Sequence, residues 1–220
     1  MATLEINNGQ IVPIASSSDA ASLNIPAGTA PTTPNDGDMW ESTNSGLFAQ
    51  IGGRSNRLAS GIYSQTTGVT VANTTTETTL IDATNAAGSV TIPSAYWGVG
   101  RTFNIEGWMY ASQLSSNTLT LKVKIGSVTI YTPTVTTIAT FTNQLIYVRM
   151  ICTCITTGAS GTMRCEGYIN TTGIAISNQQ INTADITVDT TASNDFAITA
   201  KHSSASASNT VTITNIQIKN

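Results

Sequence analysis

Few side chains in this sequence are equipped for chemistry. His202 is the sole histidine, so any Ser-His-Asp hydrolase would have to be built on it. It stands in Ala200-Lys201-His202-Ser203-Ser204, and no Gly-x-Ser-x-Gly elbow accompanies it. The residue is therefore read as a polar strand end. Cys152, Cys154 and Cys165 offer two thiols at i and i+2 and a third farther on, whereas zinc sites use paired Cys-x2-4-Cys spacings with four ligands. They are read as reduced, buried small hydrophobes, with a cross-strand disulfide as the alternative. Asp185, Asp189 and Asp195 suggest paired-carboxylate glycoside hydrolysis, which needs two carboxylates about 5 to 9 Å apart in a cleft with sugar-stacking rings. The aromatic residues lie elsewhere in the chain, so these acids are read as solvated loop groups or a weak cation site. No residue is nominated as catalytic, cofactor-binding or metal-ligating, and no cofactor is expected.

The aromatic residues carry more information. In residues 103–110 (FNIEGWMY) strand alternation puts Phe103, Ile105 and Met109 on one face and Glu106, Trp108 and Tyr110 on the other. One face is core. Trp108 and Tyr110 on the other suit a subunit interface or a glycan contact, and the interface reading is preferred because aromatics are enriched there.

The elements that position these groups are strands. Residues 119–125 (LTLKVKI) and 128–132 (VTIYT) flank Gly126-Ser127, a two-residue turn. This hairpin sets Ile125 opposite Val128 and Val123 opposite Ile130, with Lys122 and Lys124 facing away. A second hairpin joins residues 145–155 to 162–169; pairing Ile155 with Thr162 brings Cys152 opposite Cys165. Further strands are expected at 69–71, 80–81, 90–92, 102–110, 186–188, 196–200 and 211–218, the last with a bulge near Asn215, where the apolar phase changes. Short connections without crossover helices call for antiparallel sheets in an all-β sandwich, with a jelly roll as the expected topology.

Residues 1–60 differ. They hold Pro13, Pro26, Pro31 and Pro34 and lack the alternation of an independent core, so they are expected to form an extended attachment arm before a sandwich spanning 61–220. Within the arm, residues 35–53 read as a short hairpin whose Trp40 and Phe48 would need a neighbouring chain or domain to cover them.

Charged residues make up 10% of the chain, with a net charge of −3. The nine basic residues are scattered, which gives no reason to expect nucleic-acid binding. No apolar run approaches the roughly 18 residues of a membrane span, and Met1 to Ala15 has no secretory n-region, so synthesis in the cytoplasm and no membrane association are expected. So few surface charges leave sheet edges unguarded unless partner subunits cover them, which makes oligomerisation the default expectation.

Residues 27–59 (AGTAPTTPNDGDMWESTNSGLFAQIGGRSNRLA) resemble a segment that recurs in virion proteins of tailed bacteriophages, matching at Pro31, Pro34, Gly37, Asp38, Trp40, Gly46 and Leu58. Residues 69–80, 89–93, 188–192 and 204–215 are similar to phage virion domains of trimeric jelly-roll architecture. The resemblance implies a non-enzymatic homotrimer on the virion surface, a capsid decoration or head fibre. Pro31, Pro34, Asp38, Trp40 and Phe48 would then make virion-attachment or inter-subunit contacts, to the major capsid protein or a tail component. A tail-fibre or tail-associated receptor protein binding a host surface glycan is the alternative, and a polysaccharide depolymerase is a third reading.

Overall fold

The computed structural model describes residues 25–42, 46–58, 61–82, 84, 86–136, 139–171, 176–177, 180–182 and 184–220. Residues 43–45, within the expected 35–53 hairpin, and Pro13 lie outside these residues. The described chain is all β, with a single 3-10 turn at Ser94–Tyr96.

The N-terminal region forms its own four-stranded sheet, β1 (Ala27–Gly28), β2 (Met39–Ser42), β3 (Gly46–Ile51) and β4 (Arg54–Arg57), in that order. The expected hairpin is its β2–β3 unit, with Trp40 opposite Phe48. The remainder folds into two sheets. The larger takes β5 (Gly61–Gln65), β6 (Val69–Ala72), β8 (Ala86–Gly88), β10 (Thr102–Gln113), β14 (Phe141–Thr156), β15 (Thr162–Thr171), β17 (Gln180–Asn182), β18 (Ile186–Thr187) and β20 (Thr210–Lys219). The smaller takes β7 (Thr78–Thr79), β9 (Thr91–Ile92), β11 (Thr118–Ile125), β12 (Val128–Tyr131), β13 (Thr134–Thr136), β16 (Ile176–Ser177) and β19 (Asn194–His202). Every pairing in these two sheets is antiparallel.

The core is drawn from both sheets. Phe103, Ile105, Met109 and Ala111 of β10 join Ile146, Val148, Met150 and Cys152 of β14 and Val211, Ile213, Ile216 and Ile218 of β20. Leu119, Leu121, Val123 and Ile125 of β11, with Phe196, Ile198 and Ala200 of β19, complete it. β11 alternates buried and half-buried residues along its whole length, the mark of a strand with one face in the core. β20 keeps its apolar residues inward across a bulge: Trp108 pairs with Asn215 and Met109 with Ile213, so Thr214 is the extra residue.

Several expectations are corrected in detail. The β11–β12 hairpin has Ile125 opposite Val128, but a bulge then sets Val123 opposite Tyr131 rather than Ile130, and both Ile130 and Tyr131 are buried. In β14–β15 a similar irregularity pairs Thr156 with Thr162 in place of Ile155, yet Cys152 stays opposite Cys165. Those two cysteines form a disulfide, replacing the reduced reading; their Cα atoms are 4.2 Å apart, the close approach of a non-hydrogen-bonded antiparallel pair. Leu80, expected in a strand, follows β7 in a loop and is fully buried. The outermost strands β7, β8, β16 and β17 are two or three residues long.

A surface clasp holds the segment before β7. Lys122 and Lys124 face away from the core and converge on Glu77, at 2.5 and 3.3 Å, and the Thr199 hydroxyl donates to the same carboxylate at 2.9 Å. Lys122 foremost, with Thr199, holds the Glu77 carboxyl down at about 2.

Three outcomes follow from this packing. A Cβ on Gly167 would run into the Arg149 carbonyl and lie 2.8 Å from Met150 Cα, across the β14–β15 ladder. Gly167→Ala should therefore cost about 2 kcal/mol or more in urea unfolding, whereas Gly28→Ala, with open space at its Cβ, should leave the midpoint nearly unchanged. Titrating thiols in denaturant without reductant should find one, Cys154. Reducing the 13-residue Cys152–Cys165 loop should lower stability by about 3 kcal/mol on the chain-entropy estimate.

Candidate functional site

The central strands of the large sheet turn their second face to solvent. On β10 that face carries Glu106, Trp108 and Tyr110. The register of β14 sets Trp108 opposite Tyr147 and Glu106 opposite Arg149, and β15 adds Tyr168 opposite Arg149 and Glu166 opposite Ile151. Trp108 and Tyr147 lie with ring centroids 4.2 Å apart, and Tyr147 and Tyr168 5.9 Å apart, so three rings run in a row across three strands. Trp108 is 40% exposed, Tyr110 43%, Ile151 42% and Tyr168 42%. Trp108, Tyr110 and Tyr168 form an exposed aromatic group on this face, Ile151 lies farther along β14 beyond Arg149, and Glu106, Arg149 and Glu166 stand among them.

One polar contact fixes the middle ring. The Tyr147 hydroxyl donates to Glu106 Oε1 at 2.5 Å. Its pKa is pushed up to about 12, first by burial and then by the Glu106 carboxylate, so it remains a neutral donor through the ordinary pH range. The tract is thus a platform with a fixed central ring flanked by exposed ones. It can stack against an apolar or sugar surface.

The sequence reading found Trp108, Tyr110 and Glu106 on this face. It missed Tyr147 and Tyr168, whose alternation within 145–155 and 162–169 was visible but whose alignment with Trp108 depends on register between strands.

The attachment candidates separate into two groups. Pro31 and Asp38 are exposed and Pro34 is half-buried, while Trp40 and Phe48 stack on each other at 5.7 Å and are 8% and 2% exposed. These two rings are covered within the chain itself and present no free surface. Asp38 is spent locally, accepting from the Asn35 backbone N–H at 2.8 Å.

The remaining chemical candidates are held apart. Asp185 accepts from Arg164, Asp189 caps Thr191 at 2.9 Å through its backbone, and Asp195 accepts from the Thr91 hydroxyl at 2.6 Å. Among the described residues no three His, Cys, Asp or Glu side chains converge as a metal site would require. His202 is the strand end expected, closing β19, but it lies inside the protein at 1% exposure rather than at a polar surface.

No protein-family model, no curated protein and no solved structure matches this chain.

Burial pushes the His202 pKa below its ordinary 6.5, with the Val71 backbone opposing only in part. The unfolded chain binds the proton first, so stability is full above that ordinary value and falls as pH drops through it. Thermal midpoints should decline between about pH 7 and pH 5, and His202→Leu should flatten that slope when both proteins are melted across the same range.

Proposed function

We propose that this chain is a non-enzymatic structural protein of a tailed-phage virion. In this reading it is a self-associating capsid decoration or head fibre whose jelly-roll-like sandwich projects from the N-terminal sheet. The observation that supports it most is the exposed tract of Trp108, Tyr110, Ile151 and Tyr168. Large apolar side chains grouped on a sheet face lose solvent contact when copies pack together, at roughly 25 cal/mol for each Å² of apolar surface covered. The sequence resemblance of residues 27–59 to virion proteins supports the particle context, and Pro31 and Asp38 stand on the surface where attachment contacts would be made.

The three-ring row of Trp108, Tyr147 and Tyr168 favours one second reading, a tail-associated module that stacks a host glycan. A depolymerase draws no support from Asp185, Asp189 or Asp195, each of which is engaged in its own separate contact.

Light scattering after size exclusion separates these readings. The wild type should run as a trimer of the 22.9 kDa chain, and the paired change Trp108→Ser with Tyr168→Ser should shift it to one chain without altering its circular dichroism. A monomeric wild type that is retained on an immobilised bacterial polysaccharide would overturn self-association in favour of glycan binding.

A further inference from the structure

A second feature lies where the four-stranded sheet meets the sandwich, away from the aromatic tract. There a cavity of about 420 Å³ opens between the two parts of the chain. Such a volume lies within the range of small-ligand sites. Its lining combines Arg54 and Ser55 of the N-terminal sheet with Trp97 and Arg101 of the segment leading into β10.

The charge of this lining is one-sided. Among the described residues, Arg54 and Arg101 are its ionised side chains, no carboxylate lines it, and neither arginine has an ion-pair partner. Two cations thus share one cavity in a chain of net charge −3. Each guanidinium donates to one backbone carbonyl: Arg54 Nη1 to Val99 at 3.1 Å, and Arg101 Nη2 to Ser55. A guanidinium has five N–H donors in a planar fork, so most of the donors on both remain for a planar anion. Arg101 also lies over the Tyr96 ring, 5.4 Å from its centroid, which steadies its plane.

Trp97 lines the same cavity and packs edge-on against Tyr96 and Phe103 behind it, so its indole signal reports on occupancy of the cavity even though its Nε1 is itself buried. Thr32 and Thr157 add hydroxyls to the wall, and Gln50 and Ser55 stand there joined by a bond from Ser55 Oγ to Gln50 Oε1 at 2.9 Å.

We propose that this cavity binds a compact, polyhydroxylated carboxylate, a hexuronic-acid residue, with Arg54 and Arg101 receiving the carboxylate and the neutral wall groups receiving the hydroxyls. Hydroxylated ligands suit this wall better than a bare inorganic anion, because the polar neutral groups outnumber the cations. The site does not depend on the self-association reading.

The test is titration of the ¹⁵N-labelled full chain with sodium glucuronate, glucose and inorganic phosphate, following the indole N–H signals of Trp40, Trp97 and Trp108 assigned by single Trp→Phe changes. Glucuronate should move the Trp97 signal saturably, with a dissociation constant on the order of 1 mM, while glucose should leave it in place. Arg101→Gln should weaken binding about tenfold or more. Arg54→Gln should do likewise, and serves if the first variant fails to fold. No saturable shift, an equal response to glucose, an equal response to phosphate, or movement confined to Trp108 would each overturn the assignment.

Discussion

Everything in this molecule depends on the two-sidedness of β10. Its twelve residues pair with β14 on one edge and β20 on the other. Because side chains alternate, one choice of register commits Phe103, Ile105 and Met109 to the interior and Glu106, Trp108 and Tyr110 to the exterior. A slip of one residue would exchange the two sets. Core and outer platform are consequences of the same hydrogen-bond ladder. The bulge at Thr214 serves that end: it absorbs an odd residue in β20 so that both of its halves keep facing the core that β10 defines.

That coupling shows how the self-association proposed for this chain would fit with its stability despite so little charge. The polar surface is supplied largely by Thr, Ser and Asn, which hydrogen-bond locally and contribute no long-range repulsion between copies. The face of the large sheet, with Trp108, Tyr110, Ile151 and Tyr168 exposed, is a surface on which a partner would gain apolar contact.

The parts legible in the sequence are those whose apolar residues alternate without interruption. β10, β11, β19 and β20 were readable from residues such as Leu119, Leu121, Val123 and Ile125, and so was the Cys152–Cys165 alignment, because a hairpin turn fixes register locally. β5 was not readable. Its Gln65 is fully buried, and a buried amide breaks the apolar pattern; only the fold discloses that its Nε2 donates to the Thr67 and Leu80 carbonyls while its Oε1 accepts from Asp82 N–H. The Trp40–Phe48 stack was not legible, because it depends on the register between β2 and β3. The cavity between the sheet and the sandwich joins Arg54 to Arg101, and no local pattern links residues so far apart in sequence.

The paired guanidinium bonds at that seam have a mechanical meaning. Arg54 reaches from the N-terminal sheet to the Val99 carbonyl, and Arg101 reaches back from the sandwich side to the Ser55 carbonyl. Since Arg54 and Ser55 are neighbours in the chain, as are Val99 and Arg101 within two residues, a tension applied through the N-terminal region loads both bonds together. Bonds loaded in parallel share the force and rupture later than bonds opened in turn. A pull on the arm would be felt by the strand ladder of β10 before the sheet peeled away.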